Sequence, residues 1–208
     1  MTAAPRPDRN LSVQEILEQW LPQRFAELGH RMPPDCPRLR VTVKGSASCP
    51  ETDLLYSVSE HEMTCSRTFD ADEADVWVRF SHVDFQALLH RDPDLPPLVP
   101  VDRDLVDLMV VDAADLDRFA QLSGRLALEI QGRKRRRFSL DVAFGSLGFK
   151  AGRPRSTISI DGAALEALMN GSKAPLQALL EGRVRVDGDR ALAMQALMLV
   201  AATTARRR

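Results

Sequence analysis

The segment His61-Glu62-Met63-Thr64-Cys65 has the outline of a zinc-protease helix, in which two histidines four apart hold the metal and a glutamate between them acts as base. Its fifth position is Cys65 rather than histidine. A centre built from Cys49, His61 and Cys65 would need ligands paired at short spacing, and the chain has neither a C-x-x-C nor an H-x-x-x-H pair. Gly145-Ser146-Leu147-Gly148 lacks the further glycine or Lys-Ser/Thr of a phosphate loop and reads as a hairpin turn. All four histidines, His30, His61, His82 and His90, fall in the N-terminal half, and no nucleophile or paired-carboxylate motif accompanies them. These residues predict no catalytic set, no metal and no cofactor. One block of like charge stands out, Arg133-Lys134-Arg135-Arg136-Arg137, with Arg153 and Arg155 in the next loop. Its plain reading is a solvated hairpin turn. Its functional reading gives Arg133, Lys134 and Arg135 contact with an anionic headgroup, at about 1 kcal/mol per basic residue.

The rest of the chain limits the chemistry further. Of 208 residues, 44% are hydrophobic and 27% charged, the balance of an ordinary globular protein. The 28 basic and 29 acidic side chains nearly cancel, so no overall field favours nucleic acid or an anionic membrane. Aromatics make up only 5%, which argues against a base-stacking platform. Met1 to Asn10 lacks the apolar core of a secretory signal, and no window approaches the roughly 20 apolar residues of a membrane span. Three unpatterned cysteines, Cys36, Cys49 and Cys65, read as reduced thiols of a cytoplasmic protein.

The elements follow from periodicity. Residues 1–37 read as a disordered lead and an amphipathic helix. Ser12 and Glu15 make a capping box, Val13, Ile16, Leu17, Trp20, Leu21, Phe25 and Leu28 form the apolar face, and Gly29 is the stop. Pro22 predicts a kink. Such a helix covers a core, lids a ligand cavity or meets another subunit. Strands follow at Leu39–Val43, Leu55–Val58 and Val76–Phe80, then a helix capped by Ser81 and a Pro-rich loop over 92–100. A strand or helical turn at 105–111 and a helix bearing Leu116, Phe119 and Leu122 complete the first half.

The second half repeats that order. Leu126, Leu128 and Ile130 answer Leu39, Val41 and Val43, and Phe138-Ser139-Leu140 answers Tyr56-Ser57-Val58. Ile158, Ile160, Leu165, Leu168 and Met169 answer Val78, Phe80, Phe85, Leu88 and Leu89 at a constant offset of 80 residues. Val186-Asp187 answers Val111-Asp112. A duplicated unit with loop insertions gives this pattern.

Near the C-terminus, Asp161 caps a helix ending at Asn170-Gly171, Pro175 opens a short second one, and Arg183 to Asp187 alternate as a half-buried strand. Gly188-Asp189 then turns into a helix in which eleven of the twelve residues Ala191–Ala202 are apolar, Gln195 being the exception. A helix without a polar face needs dry neighbours on both sides. Leu165-Glu166-Ala167-Leu168-Met169-Asn170-Gly171, followed by Ala178-Leu179-Leu180-Glu181-Gly182-Arg183-Val184-Arg185-Val186-Asp187-Gly188-Asp189, resembles the C-terminal half of the sterol carrier protein type 2 domain. The resemblance is clearest over 124–202 and weaker over 38–123, where Val111-Asp112-Ala113-Ala114-Asp115 has alanine in place of the Gly-Asp turn.

The resemblance implies an α+β fold of two tandem sterol-carrier-like units, at 38–123 and 124–205. Each would be a mostly antiparallel five-stranded sheet backed by helices, with the first degenerate. It further implies non-enzymatic binding or transfer of a sterol, fatty acid, acyl-CoA or similar lipid in a cavity between sheet and helices. The wall by position would be Leu165, Leu168, Met169, Leu176, Leu179 and Leu180, joined by Leu192, Met194, Leu197 and Met198 from the last helix. Aliphatic and methionine side chains suit an alkyl or ring ligand, at about 0.8 kcal/mol for each methylene buried. The alternative is a dimerisation module, or accessory partner of an enzyme, that uses the same helices as a protein interface. Either way the expected partners are a hydrophobic small molecule or a second copy, with no nucleic acid and at most peripheral contact with a membrane.

Overall fold

The computed structural model describes residues 4–206 except 31, 34, 48, 102, 111–112 and 146–154. The Gly145–Gly148 turn, Arg153, Val111-Asp112 and the tail beyond 206 thus lie wholly or partly outside the described residues. Eight strands form one sheet: β1 (Leu39–Val43), β2 (Thr52–Ser59), β3 (Glu62–Ser66), β4 (Val76–Phe80), β5 (Gly124–Gln131), β6 (Arg137–Phe144), β7 (Ser156–Asp161) and β8 (Val184–Gly188). Their order across the sheet is β3-β2-β1-β4-β6-β5-β7-β8. The expectation of two separate five-stranded sheets therefore needs correction. The edge of β4 that a separate sheet would leave open pairs antiparallel with β6, from Val76 opposite Phe144 to Phe80 opposite Leu140.

Within this sheet one arrangement occurs twice. β1 pairs antiparallel with β2 and parallel with β4; β5 pairs antiparallel with β6 and parallel with β7. Each parallel strand runs into a capped helix, α3 (His82–His90) after β4 and α5 (Gly162–Met169) after β7. Ser81 accepts the Asp84 N–H at 3.0 Å and Asp161 accepts the Ala164 N–H at 2.8 Å. The pairing also revises one correspondence. Leu39 faces Tyr56 and Leu126 faces Val142, so Val142 rather than Phe138 occupies the position that matches Tyr56. His61 lies in the β2–β3 turn, and Glu62-Met63-Thr64-Cys65 belongs to β3, so the protease-like segment is a strand and not a helix.

The period-two alternation sorts side chains between two faces. Val41, Val43, Leu54, Tyr56, Phe80, Phe144, Leu126, Ile130, Ile158, Ile160 and Val184 are buried on the face that carries the helices. The other face carries a polar lattice centred on Trp77. Arg40 lies 4.8 Å from the Trp77 ring and 5.1 Å from Phe69, and Arg79 and Arg125 approach the Trp77 ring at 5.2 and 5.8 Å. Arg40 grips Asp53 with two hydrogen bonds, of 3.0 and 2.6 Å, and Trp77 Nε1 donates to Thr42 at 2.7 Å. At the β4–β6 junction Arg79 stands opposite Asp141 and donates to it at 2.8 Å, as does Arg125 from β5. Burial acts to raise the Asp141 carboxyl, but the two arginines outweigh it and hold the group below its ordinary value.

The N-terminal helix is an unbroken run of α1 (Val13–Glu15), a π turn (Ile16–Trp20) and α2 (Leu21–Leu28). The Ser12–Glu15 capping box and the left-handed Gly29 stop, at φ +60°, stand where the sequence places them. Pro22 does not break the helix. The Leu21 N–H donates five residues back to Ile16, and the next donor in that pattern is the one proline lacks. The carbonyl left over, Leu17 O, accepts instead from the buried Tyr56 hydroxyl at 2.7 Å. Glu18 O accepts from the Cys65 thiol at 3.9 Å. Burial pushes the Tyr56 phenol well above its ordinary value. The helix thus covers the core over β2 and β3, the plainest of its three readings. The lead before it is partly anchored, since the Ala4 N–H donates to Val101 O at 3.0 Å and Pro7 is buried.

Two outcomes follow. Tyr56→Phe should cost about 1–3 kcal/mol in urea unfolding with an unchanged m-value, because Leu17 O loses its donor in a dry site. Asp141→Asn should cost about 1–3 kcal/mol at pH 7. The native carboxyl is depressed, so its contribution is present above the unfolded value near 4 and fades as pH falls through the lower folded value. The gap between wild type and variant should therefore be full above about pH 4, start to close below it, and vanish only once pH falls past the folded value.

Candidate functional site

The C-terminal helices stand over β5, β7 and β8. α5 ends in Met169; a six-residue helix, α6 (Pro175–Leu180), follows with proline in its first turn, and the left-handed Gly182, at φ +72°, leads into β8. Lys173 pairs with Glu181 across α6, and Arg183 N–H donates to Ala178 O at 3.0 Å. The Gly188-Asp189 pair has two separate tasks. Gly188, at φ +98°, runs so close to the β7 lead that a Cβ there would sit 2.2 Å from Arg155 O. Asp189 then donates its N–H to the same Arg155 oxygen at 3.0 Å and caps the last helix by accepting the Leu192 N–H at 3.1 Å.

That last helix, α7 (Arg190–Arg206), packs on β5, β7 and β8 and against α5, α6 and α4 (Ala113–Ala120). Its dry surroundings are therefore supplied by this chain over most of its circumference. Leu192, Ala193, Leu197 and Leu199 are buried, and the outward stripe is Ala191, Gln195 and Met198, spaced four and three residues apart. The ten expected wall residues divide three ways. Leu165, Leu168, Leu192 and Leu197 lie in the core, and Met169, Leu179 and Met194 pack at its margin. Leu176, Leu180 and Met198 instead remain 56%, 79% and 58% exposed. The reason for two of these lies in α6: Ala178 is its fully buried residue, and positions two before and two after it point to the opposite side.

Arg133, Lys134 and Arg135 form a 3-10 turn between β5 and β6, as the hairpin reading expected, and all three are exposed. Lys134 is engaged by Asp94 at 3.1 Å. The following residue of the block turns inward: Arg136 meets Asp84 at 3.1 Å and Asp92 at 3.0 Å, tying the hairpin to α3 and the loop after it. The Asp94 N–H and Arg136 hold the Asp92 carboxyl below its ordinary value. Among the described residues no three His, Cys, Asp or Glu side chains gather as metal ligands.

Two clefts lie elsewhere, against α3. One is an open groove of about 470 Å³ and the other a narrower recess of about 190 Å³, and neither touches any of the ten C-terminal wall residues. The sequence reading did not find them. The available signal was the Pro-rich loop over 92–101, whose Leu95, Leu98 and Val99 would have no purpose in a solvated connection.

A helix layer on one face of a mainly antiparallel sheet defines an α+β protein. Within it, residues 105–200 match the SCP-2 sterol transfer family. Solved structures resemble parts of the chain. The sterol carrier protein domain 2 of Helicoverpa armigera is 17% identical over 45% of this chain and 79% of its own, with a TM-score of 0.35. Apo Sterol Carrier Protein 2 from Yarrowia lipolytica is 12% identical over 45% and 81%, with a TM-score of 0.34. A UbiJ-SCP2 ubiquinone synthesis protein is 18% identical over 58% and 91%, with a TM-score of 0.32. No curated protein matches the chain.

The two classes of wall residue should separate in unfolding experiments. Leu192→Ala should cost about 2–5 kcal/mol, as for a truncated core leucine. Leu180→Ser should change stability by no more than about 0.5 kcal/mol.

Proposed function

We propose that the chain is a non-enzymatic carrier of a hydrophobic ligand, a sterol, fatty acid, acyl-CoA or similar lipid, held between sheet and helices of residues 124–205. The observation that carries the reading is the match of residues 105–200 to a sterol-transfer family, over a segment whose helices present aliphatic and methionine side chains to one another. Leu165, Leu168, Leu179, Leu192, Met194 and Leu197 already pack together around the core. On this reading a ligand enters by parting α6 from α7, and Leu176, Leu180 and Met198 form an apolar lip at that seam. Methionine is unbranched and re-packs at low cost, which suits an interior that is filled when the ligand is absent. The three cysteines carry no disulfide, in keeping with a reducing, cytoplasmic setting. No helix among the described residues is long and apolar enough to cross a membrane, so membrane contact would be peripheral.

The same reading accounts for the repeated topology. Superposing β1 on β5 and β4 on β7 gives five strand positions, of which each half supplies four. The first half lacks the position beyond β4, and the second lacks the position beyond β6. Those two strands pair with each other. Two tandem sterol-carrier-like units, 38–123 and 124–205, would thus each use the other to close the open edge left by its missing strand, which covers an edge otherwise open to mispairing.

A second reading is favoured by the exposure of Leu176, Leu180 and Met198: the helices form a protein interface, with a second copy or with an enzyme that the chain accompanies. The two separate experimentally. Native mass spectrometry and organic extraction of the expressed protein should yield a lipid, and fluorescent fatty-acid or sterol probes should bind in proportion to protein. A protein that extracts clean and binds neither probe sinks the carrier reading. A protein that binds neither probe, and whose Leu180→Lys/Met198→Lys double variant turns an oligomer into a monomer, would establish the interface instead.

A further inference from the structure

The narrow recess against α3 is lined by Leu88 and Ala87 from the helix, by Leu95, Leu98 and Val99 from the Pro-rich loop, and by two arginines, Arg6 and Arg91. Arg6 comes from the N-terminal strap that Ala4 fastens to Val101. All three of its guanidinium nitrogens are shielded from solvent, and none has a hydrogen-bond partner among the described residues. Arg91 donates through one terminal nitrogen to Val101 O at 2.8 Å, while its Nε is shielded and without a partner. Arg91 also closes α3 in a left-handed conformation, at φ +56° and ψ 75°, which a non-glycine side chain adopts at a cost.

The acids nearby do not neutralise these charges. Asp92 lines the recess but is engaged by Arg136 and the Asp94 N–H, at 3.0 and 2.9 Å. Asp104 attracts Arg6 from a distance, yet its carboxylate is gripped by Arg24 at 2.8 Å and accepts the Val106 N–H at 3.2 Å. The adjoining open groove adds Arg9 and His90 and shares Ala87, Arg91, Asp92 and Pro93 with the recess. Burial and the neighbouring Arg91 draw the Arg6 guanidinium below its ordinary value. A guanidinium stays charged at neutral pH even so. A shielded cation with no counter-ion in contact is costly, and the cost is relieved by an anion.

We propose that this recess binds a small amphiphilic anion, a carboxylate or phosphate monoester carried on an aliphatic chain. The head would accept from Arg6 and from the free Nε of Arg91, and the chain would run along Leu88, Leu95, Leu98 and Val99. A volume of about 190 Å³ corresponds to roughly six waters' share of the liquid, enough for the head and the first carbons, with the remainder extending into the open groove. The site is independent of the C-terminal helices and of the lipid proposed for them.

The test is calorimetric titration of the full chain with octanoate, octyl phosphate, inorganic phosphate and octanol. Octanoate or octyl phosphate should bind and raise the melting temperature, weakening with added salt, while octanol should not. Arg6→Gln should weaken that binding at least tenfold. Since the Arg6 side chain makes no hydrogen bond among the described residues, the variant should remain folded, with unliganded stability equal to or above wild type. Four results would overturn the proposal: neither amphiphile binding at millimolar concentration, octanol binding as well as octanoate, inorganic phosphate binding as tightly as octyl phosphate, or Arg6→Gln leaving the affinity unchanged.

Discussion

Phe80 and Leu140, opposite each other at one end of the β4–β6 ladder, mark the contact on which the remaining architecture rests. Phe80 packs on Phe85 of α3 and on Phe138 of β6, with ring centroids 5.5 and 6.4 Å apart, so the same cluster binds a helix of the first half to a strand of the second. On the opposite face Asp141 receives Arg79 from β4 and Arg125 from β5, spanning the junction with charge as the phenylalanines span it with packing. Without the junction the chain would expose two strand edges, at β4 and at β6. With it, the eight strands share one helix-bearing face and one continuous core. A change at the junction is therefore felt at both ends of the sheet, whereas a change on β3 or β8 touches only an end.

The two polar clusters of the molecule do different work. The Trp77 lattice is closed in charge: Arg40, Arg79 and Arg125 each meet a carboxylate and the Trp77 ring, although Arg79 Nε has no hydrogen-bond partner among the described residues. Thr42 relays Trp77 to Asp53 by two short hydrogen bonds. Such a network fixes strand register, because Arg40, Trp77 and Asp141 meet their partners only when β1, β2, β4, β5 and β6 are aligned as they are. The recess beside α3 is open in the same sense. Its acids are spent on Arg24 and Arg136, which leaves Arg6 and one edge of Arg91 unanswered. Polarity that is satisfied internally rigidifies a fold, and a buried polar group left unsatisfied is costly until a partner meets it.

Much of this was legible in the residues. Ser12, Ser81 and Asp161 cap helices where sequence spacing puts caps, and Leu39, Val41 and Val43 against Leu126, Leu128 and Ile130 mark the two strands that share the same pairing pattern. The π turn was not legible, because it depends on Tyr56, distant in sequence, supplying the donor that Pro22 lacks. The β4–β6 pairing escaped for a similar reason. Alternation reports which face a side chain takes, but not which strand lies beside it. The exposure of Leu176 and Leu180 was not legible either, because residue type does not say which way a short helix is turned, and with Ala178 inward α6 directs these two leucines outward.

That geometry bears on how the C-terminal helices would act. A wall whose every aliphatic side chain faced inward would be a closed core and would offer a ligand no route in. Instead, Met169, Leu179 and Met194 sit at the margin of the core, and Leu176, Leu180 and Met198 are exposed. α6 has six residues and buries little besides Pro175 and Ala178, so it is held more weakly than α7, which touches three strands and three helices. Elements with few buried contacts open at lower free energy than the global fold. On the carrier reading proposed above, movement of α6 away from α7 would uncover Leu179 and Met194 while leaving Leu192 and Leu197 on the sheet, so that the seam between these two helices would admit a hydrophobic cargo.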